Sequence, residues 1–249
     1  MSSLEISLIA LGCLVAGVLL GMWFQYLLPE HHLSKESQET VKLGAGMIAT
    51  MSALILGLLV SSAKSSFDAM SLSIAVTGAK IIQLDHVLAE YGPETKPLRE
   101  QLKQSLAARI EKIWGAQGGM LAVEKSTTIQ ETQQRLRELS PQTDWQKAIL
   151  AQAQQLSTDV WQNRLLMVEQ QQEPVPTVFL VLLVFWLTLL FASFGLFAPP
   201  NLTVFGVLLV CALSVASAVF LILEMSHPLD GYIKVSSAPL IKVLEMIGK

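Results

Sequence analysis

ALILGLLVSSAKSSFDAM, residues 53–70, begins as sequence fit for a hydrocarbon interior and ends as a charged helix surface. Nothing in it breaks a helix: it holds no proline, and its one glycine, Gly57, lies well inside the apolar part. The passage from one solvent to the other is therefore expected within one helix. From Phe67 the apolar residues fall at 67, 70, 74, 81, 84, 88 and 91, with Thr77 filling the one gap. That alternation of three and four is the seam of a coiled coil or tight bundle. Followed backward, the same spacing passes through Ala63, Val60, Leu56, Ala53, Ala49 and Gly46. One register is thus predicted along the whole helix. It should end near YGPETKP (91–97), where Gly92 and Pro93 stop it and Pro97 restarts the next.

Outward from this stretch, the chain of 249 residues is 52% hydrophobic and 15% charged, against about 25% charged in a soluble domain. Charges are scarce in four stretches: 6–28, 43–63, 175–198 and 202–223. Each has roughly the 20 residues a helix needs to cross the bilayer core, and unbroken apolar runs exclude alternating barrel strands. The expected fold is all-α: a four-span helical membrane protein with a cytoplasmic helical bundle continuous with the second span. The first span is read as retained, because its leading MSSLE carries no Lys or Arg. Cys13 and Cys211 both fall inside spans, where buried free thiols are expected. Residues 64–173 hold 12 Lys plus Arg interleaved with 13 Asp plus Glu. With no basic stripe and a net charge of -3, nothing here draws nucleic acid.

Four spans place both termini and the long segment on one side. Near the membrane that side carries Lys64, Lys80, Arg164, Lys234, Lys242 and Lys249, against Lys35 and Lys42 opposite. By the positive-inside rule the termini are cytoplasmic. The division is then 1–63 for spans one and two, 64–173 for a cytoplasmic insert, 174–223 for spans three and four, and 224–249 for a tail. Within the insert, Leu98, Leu102, Leu106, Ile110 and Ile113 mark one helix and Trp145, Ile149, Leu156, Val160 and Met167 another, the second capped by Thr143 or Asp144. GAQGG (115–119) and EPVP (173–176) read as interruptions. In the tail, Leu240, Ile241, Val243, Leu244, Met246 and Ile247 form the apolar face of a short amphipathic helix, expected against the bilayer surface or a neighbouring subunit.

Four-residue steps from 45 read Ala45, Ala49, Ala53, Gly57, Ser61, Ser65, Ala69, Ser73 and Thr77, all small. Each step turns a straight helix by about 400°, so the ridge drifts by roughly 40° at a time. It suits close packing against another helix of the same subunit, or self-association about a symmetry axis with Leu56 or Val60 as an apolar constriction. Lys64 and Asp68 form an i,i+4 pair at the membrane edge, either a local pair or a charge at a pore mouth. Glu224 and His227, with Asp230 beyond, sit at the same boundary. They suggest a membrane-edge network in which Glu224 pairs with Lys64 or caps the local turn. A di-iron bundle would need a second E-x-x-H, and His31–His32 lies across the membrane. No metal or cofactor is therefore expected. The chain shows no phosphate loop, nucleophile elbow or zinc spacing, so no enzyme is expected. The spans carry no interior ionisable residue of the kind that marks a proton-coupled carrier.

ALILGLLVSSAKSSFD (53–68) and LILEMSHPLDGYIKVSSAPL (221–240) resemble the two signature blocks of the bacterial bestrophin-like membrane proteins. The layout is similar as well: two spans, a helical insert, two spans and a tail. Bestrophins are pentameric anion channels whose second span lines a pore with an apolar neck. The resemblance implies that Ala53, Leu56, Gly57, Val60, Ser61 and Lys64 line a pore here. The acidic calcium clasp and aromatic neck of animal bestrophins are missing from this sequence. The expected function is an oligomeric channel of the bacterial cytoplasmic membrane that passes small anions; its partners would be the bilayer, its own copies and small ions. The alternative is a non-conducting scaffold or signalling protein acting through its cytoplasmic helices.

Overall fold

The computed structural model describes residues 2–29, 35–115, 127–172, 177–199, 201–229 and 231–248, and all regular structure among them is helical. In chain order the helices are α1 (Ser3–Leu27), α2 (Lys35–Tyr91), α3 (Lys96–Trp114), α4 (Thr127–Glu138), α5 (Asp144–Gln172), α6 (Thr177–Phe197), α7 (Leu202–Met225) and α8 (Ala238–Met246). Four of them, α1, α2, α6 and α7, are long and apolar enough to cross a membrane. The protein is a multi-pass helical membrane protein. As expected, α2 runs from the second span into the polar insert as one helix of 57 residues.

The chain divides into two compact units. A span unit comprises 1–65 with 174–226, and an insert unit comprises 66–173 with 227–249. In the span unit, α1 packs along both α6 and α7. Its entry is fixed by a capping box: the Glu5 N–H donates to Ser2 Oγ at 3.2 Å and the Ser2 N–H to Glu5 Oε2 at 2.9 Å. The α1–α6 crossing is built on glycine. A Cβ at Gly21 would lie 2.1 Å from the Ala192 carbonyl oxygen, one at Gly195 2.3 Å from that of Val18, and one at Gly17 2.8 Å from that of Thr188. Lipid gives helices little hydrophobic reason to associate, so close backbone contact between small residues supplies the attraction.

The insert unit has one continuous core. On α2 the predicted seam is buried at 70, 74, 77, 81, 84, 88 and 91, and it meets Leu98, Leu102 and Leu106 of α3 and Ile149 and Val160 of α5. The turn after α2 is where the sequence places it. Gly92 has φ 142°, a conformation that side chains resist, and the Thr95 hydroxyl donates to the Leu88 and Gly92 carbonyls. At the start of α5 the cap is Thr143 rather than Asp144, since Thr143 Oγ1 accepts the Gln146 N–H at 3.1 Å. Buried beneath α8, the Asp85 carboxylate receives Arg99 Nε and Nη2, both at 2.8 Å, and the Gly248 N–H at 3.0 Å.

Several expectations change. The α8 face does not await a bilayer or a neighbour: Leu240, Val243 and Ile247 are buried in the insert core, and Gly78 of α2 makes room for Val243. Only Ile241 and Met246 of that face are exposed. A further helix, α4, packs on α3 and α5 and buries Leu136. Trp145, assigned to the α5 core face, is exposed, as is Cys211. Inside the span the seam continues only in part. Ala63 is buried and Leu56 and Ala49 are half-buried, but Gly46, Ala53 and Val60 are exposed while Ser52 and Leu59, off the seam, are buried. A 3.5-residue repeat drifts about 20° per heptad on a straight helix, enough over this length to change faces. GAQGG beyond Gly115, EPVP and His31–His32 lie outside the described residues.

Candidate functional site

The span part of α2 holds the candidate pore residues, and it is the least covered of the four. In its most apolar window 11% of residues are buried within the chain, against 28–33% for α1, α6 and α7. Leu59 and Ala63 anchor it to Leu183 of α6 and Ile222 of α7, with Ile55 and Leu56 partly buried alongside. The other side is open. Ala53, Gly57, Val60, Ser61 and Lys64 are all exposed, so five of the six candidates share the uncovered surface and Leu56 turns towards its own subunit.

The small-residue ridge behaves as its four-residue step dictates. Ala45 and Ala49 are half-buried, Ala53, Gly57, Ser61 and Ser65 are exposed, and Thr77 is buried in the insert unit. A Cβ added at Gly44, Gly46 or Gly57 would meet nothing within 4 Å. The ridge is therefore not where this subunit packs its helices closely. That work belongs to Gly17 and Gly21 of α1, whose G-x-x-x-G spacing in GVLLG (17–21) is a signal the sequence reading passed over.

At the edge of the spans, Lys64 and Asp68 are exposed, Glu224 at the end of α7 is 2% exposed, and His227 is exposed. Each of the four takes part in an interaction, so none is an idle charge. Asp230 lies outside the described residues. A metal would need several ligands converging, and among the described residues no three His, Cys, Asp or Glu side chains do so. Arg164, a flanking charge near the third span in sequence, is 9% exposed within the insert core.

What this arrangement offers is a membrane helix with one anchored side and one open side of small, partly hydroxylated residues. Five candidate residues lie within about three turns of that open side, and an apolar Val60 sits between polar Ser61 and small Gly57. Such a surface is suited to a second copy of itself or to a narrow aqueous path.

The Bestrophin-like domain family model matches residues 12–240. Among solved structures the chain is similar to a bacterial bestrophin homologue from Klebsiella pneumoniae carrying a point substitution, with a TM-score of 0.63 at 13% identity, over 97% of this chain and 96% of that one. At that identity the likeness shows the fold. No curated protein matches the chain.

Proposed function

Because the chain belongs to the bestrophin-like family, we propose that it is an oligomeric channel for small anions whose second span lines the pore. The observation that carries this reading is the uncovered side of α2. A transmembrane helix 11% buried in its own subunit gains cover most simply by gathering with its copies around an axis. Ala53, Gly57 and Ser61 would then face that axis, and Val60 would supply a hydrophobic constriction at which water is expelled. Lys64, at the membrane edge, would draw anions towards the mouth. Lys64, Lys80, Arg164, Lys234, Lys242 and Lys249 against Lys35 and Lys42 support cytoplasmic termini and insert. In a bacterium that places the protein in the cytoplasmic membrane.

The test is flux through purified protein in sealed liposomes, comparing chloride, nitrate and potassium. Anion flux is expected for the wild type, with nitrate and chloride well above potassium. Gly57→Trp is expected to abolish it while leaving the subunit folded, since no neighbour lies within 4 Å of the added side chain. Flux that persists in Gly57→Trp would remove the second span from the pore. A well-folded oligomer without flux would favour the scaffold reading and shift interest to the insert.

A further inference from the structure

The insert unit holds a cavity with about 40 Å³ of free volume, lined by α2, α3, α5, α8 and the segment leading into α8. Its wall is largely apolar: Ile74, Ile113, Val160 and Met167 contribute, among others. Two arginines are among its lining residues, Arg109 from α3 and Arg164 from α5, close enough that the Arg164 charge acts on Arg109. Among the described lining residues there is no carboxylate. The other polar groups at the cavity are already occupied. The Thr77 hydroxyl donates to the Ser73 carbonyl at 2.8 Å and accepts from Asn163 Nδ2, and the Trp114 indole N–H donates to the Val235 carbonyl at 2.7 Å. Arg164 is 9% exposed, and its buried Nη1 has no hydrogen-bond partner.

Two like charges in an apolar cavity oppose folding. Burial and the neighbouring Arg164 charge push the Arg109 guanidinium down to about 10. Burial also pushes Arg164 below its ordinary value. Elsewhere in the same unit buried or half-buried cations are matched: Arg99 by Asp85 and Lys80 by Asp159. An uncompensated buried charge is costly unless something pairs with it.

We propose that the Arg109–Arg164 cavity is a binding site for a small oxyanion. The chemistry follows from the donors. Guanidinium is a planar fork that matches two oxygens of one anion, and two forks converging on one small space suit phosphate, sulfate or nitrate better than a spherical halide. The volume takes an ion of a few heavy atoms, since a single water needs about 10–15 Å³ by the same measure. The apolar wall strengthens each charge-assisted hydrogen bond by excluding water. The site belongs wholly to the insert unit, so it does not depend on the channel reading.

The experiment uses the full chain in detergent at constant ionic strength. Inorganic phosphate, sulfate, nitrate and chloride are titrated in turn, with melting temperature and calorimetric heat as readouts. An oxyanion is expected to raise the melting temperature with saturation, and chloride to do little. Arg164→Met is expected to weaken oxyanion binding about ten- to a hundredfold, as loss of a hydrogen bond to a charged group does. It should also raise the melting temperature of the anion-free protein, because an unpaired charge has gone. Arg164→Lys keeps the charge without the fork and serves if the methionine variant does not fold; it should lose oxyanion over chloride preference. Absence of saturable binding by all three oxyanions at millimolar concentration would overturn the proposal. So would equal binding by chloride, or binding unchanged in Arg164→Lys.

Discussion

Replacing Gly195 with valine is expected to destabilise the span unit severely. Its Cβ would sit 2.3 Å from the Val18 carbonyl oxygen and 3.2 Å from the Met22 amide nitrogen, both backbone atoms of α1. No rotamer relieves such a contact, because the obstruction is main chain and the intruding atom is the one nearest the backbone. The helices must separate, and separation also empties the reciprocal contact at Gly21, where a Cβ would lie 2.1 Å from Ala192. Overpacking a core typically costs about 1–3 kcal/mol. A backbone collision at the principal helix crossing belongs at or beyond the top of that range, against a total stability of about 5–15 kcal/mol. Gly21→Val should behave in the same way. Gly12→Val, on the same helix but with nothing within 4 Å, is the control and should stay within about 0.5 kcal/mol of wild type. Monodispersity and melting temperature in detergent are the readouts. A Gly195→Val protein that melts like Gly12→Val would show that this crossing does not hold the span unit together.

Asp85→Ala is expected to destabilise the insert unit by about 3–5 kcal/mol, the usual cost of breaking a buried ion pair from one side. The carboxylate is 3% exposed, and its loss removes the acceptor of the two Arg99 hydrogen bonds and of the Gly248 N–H. Arg99→Met strands Asp85 instead. The double variant should recover part of the loss, because neither charge is then left buried alone, and a double-mutant cycle measures the coupling. Strict additivity would mean that the pair is not an interacting unit. The same contact sets an acid limit. Burial alone would raise the Asp85 pKa, but the Arg99 hydrogen bonds, the Gly248 N–H and the Arg99 charge outweigh it and hold the carboxyl below its ordinary value. The unfolded chain therefore takes up this proton first. The stabilisation is fully present above the ordinary aspartate value of about 3.9 and is lost as pH falls through the lower folded value. Below about pH 4 the stability of Asp85→Ala should depend less steeply on pH than that of wild type.

The features legible in the sequence are those written into local periodicity. Four apolar runs gave four spans, the three-four seam from Phe67 to Tyr91 gave the buried face of α2, and Gly92 with Pro93 marked its end. Five of the six candidate pore residues share one open surface, and Leu56 does not; small side chains on an apolar helix are visible in a sequence without a partner. What stayed hidden depends on which elements meet. Asp85 and Arg99 are 14 residues apart across a turn and look like ordinary surface charges until α8 covers them. The same holds for Arg109 and Arg164, on different helices. The α8 face was read correctly as apolar, but a sequence does not say whether such a face meets lipid, a neighbour or its own chain. The ridge on α2 drew attention to close packing, while the shorter Gly17–Gly21 signal on α1 marked where packing is closest.

The insert unit takes its last core residues from a part of the chain made long after the rest. Leu240, Val243 and Ile247 complete a core begun at Met70, yet α6 and α7 must be synthesised in between. At roughly 5–20 residues per second, the stretch from 173 to 238 takes on the order of several seconds. Throughout that interval the groove at Gly78 and the Asp85–Arg99 pair wait uncovered beside the ribosome. Assembly of the polar unit is thus timed by insertion of the last two spans. A chain that ended within α7 would lack α8 and leave the groove at Gly78 without Val243.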